Sequence, residues 1–453
     1  MSDSALKQAF LSLPENANHA TLCANFIPKL LEGLGFTIDE QSLEFPSGAG
    51  AQTVDFAART NTENDIFSHS PQNPFLIVEV KPRTINLANG GYQKAVKQLK
   101  GYLAPNAVNC KTAKWGIITN ADYLQIFRKH RKVVYPLTQL IHLTPDNIDQ
   151  KVQQLKQIIH HPDRALTITV YNNKGGVGKT TSVVNLAAYL GINHKVLVID
   201  FDANQQDLTN ILDVQQGNCN FYQCLKDYRN YQLEDAIVPY RFTNKQSPEV
   251  GFDVIPADQV FIEKTPTELL QELTKDRFYE VLKTAKKTYD YILIDAPPGW
   301  SFFSKQAVMA ADMILLPTKH NNVASLINAQ QVISEKLEEV GNELRSVLYD
   351  AIDVANPTAL PIFYNGEQIT PAQKRQAADK LNELIIETKN KKGIDLRPYF
   401  FPKNSAGSIN LEVNEIPYNA YISNAAFYNA PAVYKYRIAF DYYKSFAKEY
   451  FLG

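Results

Sequence analysis

Apolar positions along the chain follow two rhythms, and the change between them divides it. Over residues 1 to about 145 the patterns are mixed. Phe26, Leu30 and Leu34 recur at helical spacing within residues 20–34, which predicts one amphipathic helix there. Residues 75–78 and 115–119 are apolar runs of strand length. Between them Val96, Leu99 and Leu103 mark one face of a helix over 92–103. A polar helix over 145–163 ends in His160-His161-Pro162-Asp163 and reads as a hinge. Adjacent histidines project to different sides of any element, so this pair reads as linker rather than metal site.

From Ala165 onward the order becomes strand, glycine turn, helix, strand. Strands are expected at 166–170, 195–200, 252–256, 291–295 and 313–317, with a helix over 182–190. Continuously apolar strands alternating with helices predict a mostly parallel sheet covered on both faces. Ligands in such sheets bind at the carboxyl ends of the strands, which here run into glycine or charged residues. The expected organisation is an α/β domain over 1–145, a linker helix over 146–164 and a second α/β domain over 165–453.

Composition narrows the class. The 453 residues, 45% apolar and 21% charged, suit a protein of two or three domains. The opening residues lack the basic start and apolar run of a secretory leader, and no apolar stretch reaches the roughly 20 residues needed to span a bilayer. Cys23, Cys110, Cys219 and Cys224 are too scattered for a disulfide framework. A reduced, cytoplasmic protein with no membrane partner is expected. The net charge of −1 conceals an uneven distribution: residues 81–132 hold eleven Lys or Arg against one acid, Asp122. Such a stretch is either a solvated face or a surface for a polyanion such as DNA.

The strongest chemical signal is Lys174-Gly175-Gly176-Val177-Gly178-Lys179-Thr180-Thr181, after a strand and opening a helix. Glycines let backbone N–H groups turn inward around phosphate, and the helix amino end adds positive potential. Lys179 is placed to neutralise β- and γ-phosphates, and Thr180 to ligate Mg²⁺, so ATP and Mg²⁺ are the expected cofactors. The early Lys174 makes this a deviant Walker A loop that resembles the ParA/MinD family of dimeric ATPases. The resemblance covers about 165–453. It implies that Lys174 reaches the nucleotide of a partner subunit, so ATP binding and homodimerisation are one event. In Val196–Asp200 and the following Phe201-Asp202, Asp202 would orient the attacking water and Asp200 would lie near Mg²⁺. Tyr289 through Pro298 resembles the family's Walker B, with Asp295 holding the magnesium water shell. Residues 310–317 and Ile416-Pro417-Tyr418-Asn419 also fit. Two departures stand out: Ala203-Asn204-Gln205-Gln206-Asp207 replaces the usual Pro-Gln-Gly, and residues 356–404 are longer than usual. The family's DNA-contacting basic residues would correspond to Lys435, Arg437, Lys444 and Lys448, which equally fit the wet side of a helix whose other side carries Phe440, Tyr443 and Phe446. That aromatic side is expected on the sheet rather than in lipid.

In the first domain Glu79 and Lys81 lie two apart on a strand and share a face, with Asp55 on a preceding strand. Two carboxylates and a lysine can hold a divalent metal through oxygen and activate water for phosphodiester attack. Asp55, Glu79 and Lys81 resemble the PD-(D/E)XK nuclease pattern. With Gln98 and Tyr102 on the following helix, the order is similar to the amino-terminal nuclease region of type I restriction motor subunits, which implies a restriction-endonuclease-like fold. Where many such relatives carry an acid on the leading helix, this chain has Asn18 and His19. The sequence thus suggests a ParA-type ATPase whose ATP-dependent dimer binds DNA and supports partition or cargo positioning. It would associate with a nucleoid or plasmid and act with a separate ParB-like or cargo adaptor. One alternative is an ATP-gated, Mg²⁺-dependent endonuclease acting against foreign DNA; another is a nucleotide-switched adaptor that recruits a partner protein.

Overall fold

A computed structural model describes residues 3–88, 91–244, 247–348, 353–401 and 412–452. The chain forms two compact units: residues 1–162 with 350–355 and 451–453, and residues 163–349 with 356–450.

The first unit is built on a mixed sheet of β1 (Gln41–Pro46), β2 (Thr53–Ala58), β3 (Leu76–Val80), β4 (Trp115–Thr119), β5 (Tyr123–His130) and β6 (Val133–Pro136), hydrogen-bonded in that order, with β7 (Ile141–His142) also on β5. Only β3 and β4 run parallel. The alternation of β3 sorts its side chains: Leu76, Val78 and Val80 enter one core and Ile77 the other. Glu79 therefore falls on the side of Ile77, which is covered by the helix Gly91–Leu103 through Ala95, Leu99 and Leu103. Gly116 lets that helix approach, since a β-carbon there would lie 2.9 Å from Leu99.

Two expectations for this unit are corrected. The single helix over 20–34 is two, His19–Asn25 and Ile27–Gly33, broken at Phe26. Pro28, in the first turn of the second helix, lacks an N–H to continue the ladder from the first. The polar helix Ile148–His160 is not a free linker. Its spacing buries Ile148, Val152, Leu155 and Ile159 in the core that holds Leu30 and Leu31, within the first unit.

The second unit carries β8 (Leu166–Val170), β9 (Val196–Asp200), β10 (Val238–Asn244), β11 (Ser247–Ile255), β12 (Tyr291–Asp295), β13 (Met313–Leu315) and β15 (Thr358–Ala359). Their order is β10-β11-β9-β12-β8-β13-β15, all parallel except the β10–β11 hairpin. The expected strand at 252–256 is the end of this hairpin, whose first arm carries Pro239 and Arg241 and shows no apolar run. The expected strand at 313–317 splits: β14 (Pro317–Thr318) leaves the main sheet and joins β16 (Phe363–Asn365) and β17 (Asn414–Ile416) in a small parallel sheet. The helix Arg437–Tyr450 lays Phe440 on Tyr189 and Phe446 on Phe363, while Lys435, Arg437 and Lys448 stay exposed. Among the described residues no helix is long and apolar enough to cross a membrane.

Candidate functional site

β8, β12 and β9 lie side by side in parallel, and their register sets Asp295 beside Val170 on one flank and Asp200 on the other. The chain leaves β8 through Tyr171, Asn172 and Asn173 and turns into the helix Lys179–Leu190. Gly176 and Gly178 take left-handed backbone angles, φ 72° and 85°. At Gly178 a β-carbon would overlap the amide of Asn365, so glycine is required there on two counts. Asn365 Nδ2 donates to Val177 O (3.1 Å), Gly178 O (3.0 Å) and Ser182 Oγ (3.2 Å), clamping the turn from the end of β16. On the other shoulder Asn172 Oδ1 accepts from Lys174 N–H at 3.0 Å, and its Nδ2 donates to Pro317 O and Ser325 O.

Lys179 is buried, and among the described residues its ammonium has only a 3.5 Å contact to Lys174 O. Burial lowers its pKa against the opposing pull of Asp295 and Asp202. Asp295 is fully buried. Desolvation and then the charge of Asp200 drive its pKa well up, while a hydrogen bond from Thr180 and the charge of Lys179 oppose them. Among the described residues, Asp295 Oδ1 is buried without a hydrogen-bond partner. Asp200 accepts from Thr209 N–H (2.9 Å) and Oγ1–H (2.7 Å), yet burial still pushes its pKa up to about 6. Asp202 accepts from Gln205 N–H at 3.2 Å and is also raised by burial. Lys174, Gly175 and Gly176 are exposed at the mouth. A cavity of about 190 Å³ opens beside the turn, lined by Gly176, Thr181, Lys319, Asn365, Pro417 and Tyr418.

The donor set suits a hard divalent ion. Thr180 and the orphaned Asp295 oxygen offer oxygen ligands, and among the described residues no group of three His, Cys, Asp or Glu forms a complete cage. Such a partial set suits Mg²⁺, which commonly takes only one or two protein ligands and keeps water and phosphate for the rest.

In the first unit the structure brings Asp55, Glu79, Lys81 and Gln98 together. Asp55 Oδ2 accepts from Val80 N–H at 2.6 Å, and Lys81 pairs with Glu79 Oε1. Lys81 Nζ also donates to Gln98 Oε1 (2.9 Å), whose Nε2 donates to Tyr102 OH (2.8 Å). His19 Nε2 lies 3.1 Å from Asp55 Oδ1, joining the set from the leading helix. Glu79 is 1% exposed. Burial first, opposed by its bond to Lys81, raises its pKa to about 7, with Asp55 adding to the rise. Its Oε2 is buried without a partner among the described residues, which leaves an oxygen for a cation.

The basic stretch is not one face. Lys81 is held by Glu79 and Gln98, Arg83 pairs with Asp122, and Arg128 is buried, bonding Tyr135. Lys94 and Lys97 remain exposed along the helix beside the carboxylates, while burial around the Lys100 ammonium lowers its pKa. Sequence reasoning missed Asn365, which stands 188 positions from Val177. The Asn-Gly pair ending an apolar run marks a turn but says nothing of what the amide touches. It also missed Lys319, held in the cavity beside the glycine turn by Glu367 at 3.2 Å.

Residues 165–355 match the family described as AAA domain. The chain is 28% identical over 226 residues to the sporulation initiation inhibitor protein Soj of Bacillus subtilis, covering 48% of this chain and 83% of that protein. It is 32% identical over 153 residues to the chromosome-partitioning ATPase Soj of Treponema pallidum, covering 33% of this chain and 56% of the relative. Among solved structures, the septum site-determining protein MinD of Pyrococcus horikoshii with Mg-ADP aligns at 22% identity and a TM-score of 0.42, over 63% of this chain and 95% of that one.

Proposed function

We propose, on the premise that residues 165–355 are a P-loop ATPase domain of the ParA/MinD kind, that the protein is an ATP-driven DNA-associated switch. The observation that carries this reading is Lys179: a buried ammonium at the base of a glycine turn, facing Asp295 and Asp202, with no strong partner of its own. Phosphate oxygens are the partner it lacks. Lys179 and the N–H groups of the turn bind the β- and γ-phosphates, and the Asn365 clamp keeps those groups pointing inward. Asp202 orients the water that attacks the γ-phosphorus as the bond to the β-phosphate oxygen breaks. Thr180 and Asp295 would hold Mg²⁺, with Asp200 close by, and the ion when bound would neutralise charge on the phosphates. Lys174, exposed at the mouth, reaches the nucleotide of a second copy, so that ATP closes a homodimer. That dimer holds DNA, and hydrolysis releases it, serving partition or cargo positioning with a separate adaptor protein. The treponemal relative's name, a chromosome-partitioning ATPase, supports this assignment.

ATP binding and retention on DNA, with and without ATP, test it in the wild type, Lys179→Ala and Lys174→Ala. Lys179→Ala is expected to lose ATP, and Lys174→Ala to bind ATP without dimerising or staying on DNA. DNA retention indifferent to ATP and to Lys174→Ala would sink the reading.

A second activity rests on the orphaned Glu79 Oε2 within the Asp55–Glu79–Lys81–Gln98 cluster. The first unit is proposed to have a PD-(D/E)XK nuclease-like fold. Asp55 and Glu79 would hold the metal, Lys81 would stabilise charge on the attacked phosphate, and Gln98 would keep Lys81 in place. Metal-dependent DNA cleavage lost in Glu79→Ala supports it; no cleavage of any substrate with Mg²⁺ or Mn²⁺ reduces the unit to a DNA grip.

A further inference from the structure

Beyond Asp295 the chain runs through Ala296, Pro297, Pro298 and Gly299 to Trp300, and this loop is tied on both sides. Toward the phosphate turn, Gly299 N–H donates to Asn173 O at 3.3 Å, one residue before Lys174. Tyr171 OH and Ser304 Oγ–H both donate to Gly299 O, at 3.0 and 2.7 Å. Away from it, the half-buried indole of Trp300 lies against the Tyr171 ring, with centroids 5.6 Å apart. Its Nε1–H donates to Glu339 Oε1 at 3.1 Å. Lys305 and Lys336 each bond Glu339 at 2.8 Å, and their ammonium groups sit 5.9 and 5.4 Å from the indole ring. Glu339 is held down to about 2 by these lysines. Lys336 closes a π-helical turn, Val332–Lys336, directly before the helix Leu337–Val347 that carries Glu339. Such turns are rare and concentrate at functional positions.

A tryptophan that only filled space would not need an ionic group on its N–H and two ammonium groups on its ring. The Gly299–Asn173 bond, at 3.3 Å, is longer than the loop's bonds to Ser304, Tyr171 and Glu339, and is the joint most easily lost when the phosphate turn takes up its ligand. We propose that Trp300 is a positioning residue for the ATPase reaction: it fixes the loop after Asp295 against Asn173–Lys174 and transmits the nucleotide state to the π-helical turn through Glu339. The inference rests on the ATP reading of the turn.

The test uses the full chain, with ATP turnover measured alongside tryptophan emission on adding ADP or a non-hydrolysable ATP analogue. Trp115 and Trp300 are the only tryptophans, so Trp300→Phe identifies which residue reports. Wild-type emission is expected to differ between the analogue and ADP, and the difference to vanish in Trp300→Phe. Glu339→Gln retains both tryptophans and should also lose the difference. In both variants kcat should fall about tenfold, the size of one charge-assisted hydrogen bond, with KM for ATP within about twofold. An emission difference and kcat unchanged in Glu339→Gln would overturn the proposal. So would a parallel loss of ATP affinity and thermal stability in both variants, which would mark the contact as structural only. A wild type that neither binds nor turns over ATP would instead remove the underlying reading, a distinct result.

Discussion

Asp295 in the second unit and Glu79 in the first are both buried acids on strands with a parallel neighbour, and each leaves one carboxylate oxygen unpartnered among the described residues. They differ in how the neighbouring lysine is used. Lys81 is already committed, to Glu79 and to Gln98, and Asp55 is held by Val80 N–H and His19. Lys179 has only its long contact to a carbonyl, and Asp295 shares its surroundings with Asp200 and Asp202. The first cluster is nearly satisfied within itself, so a ligand must exchange for existing bonds. The second is under-bonded and its acids are held against their charged forms by burial, which favours an incoming ligand that brings both phosphate and cation. Readiness for a ligand follows from what the lysine lacks, not from how many acids are gathered.

That contrast can be broken experimentally. The largest effect is expected from Lys179→Ala, which removes the charge that phosphate would meet; ATP affinity measured calorimetrically should fall by roughly 100-fold, or about 3 kcal/mol. A fall no larger than that of a surface lysine would place the nucleotide elsewhere.

Next is the pH dependence of Glu79. Its folded pKa of about 7 lies above the usual value of 4.5. The folded unit therefore retains a proton that the unfolded chain gives up between those values. The associated stability is fully present below pH 4.5 and lost as pH rises through 7, an effect of about 3 kcal/mol. Urea unfolding at about pH 5 and pH 8 should show a steeper decline for wild type than for Glu79→Gln, in which the neutral form is permanent. Equal slopes would mean that Glu79 is ionised throughout. A divalent cation should narrow the gap at high pH, because it favours the ionised form.

Asn365→Ala removes the donor for three acceptors at the turn, and ATP affinity should drop about tenfold, with the first unit's unfolding unchanged. An unaffected Kd would show that the glycine turn holds its shape without the clamp. The smallest effect is expected from charge reversal along the exposed face of helix Gly91–Leu103. Lys94→Glu with Lys97→Glu should weaken DNA retention modestly and flatten its salt dependence. No change in the salt slope would put the DNA contact on other residues.

The comparison also explains what could be read in the sequence. The glycine turn was legible because phosphate-loop chemistry requires contiguous residues on one strand–turn–helix, and Glu79 with Lys81 because a strand's two-residue repeat puts them on one face. Asn365 was illegible for the opposite reason: its role exists only once β16 is carried to Gly178. Helical periodicity alone extended residues 20–34 across Pro28, and polar composition hid the buried edge of Ile148–His160. In each case the local pattern was right and the neighbour it would meet was unspecified. The basic stretch erred differently, since counting charge ignores how Arg83 and Arg128 are taken up by partners inside the fold.

The first unit closes with segments made long after the rest of it. Ala355 N–H donates to Leu137 O and Gln139 N–H to Asp353 O, and Lys132 N–H reaches Phe451 O. At a ribosome's pace of roughly 5–20 residues per second, residue 451 follows residue 162 by on the order of 15–60 s. Through that interval the amino-terminal sheet stands outside the ribosome without its last strap. A chaperone has that long to find it, and a chain cut short before residue 353 would leave this sheet without any of the segments that close it.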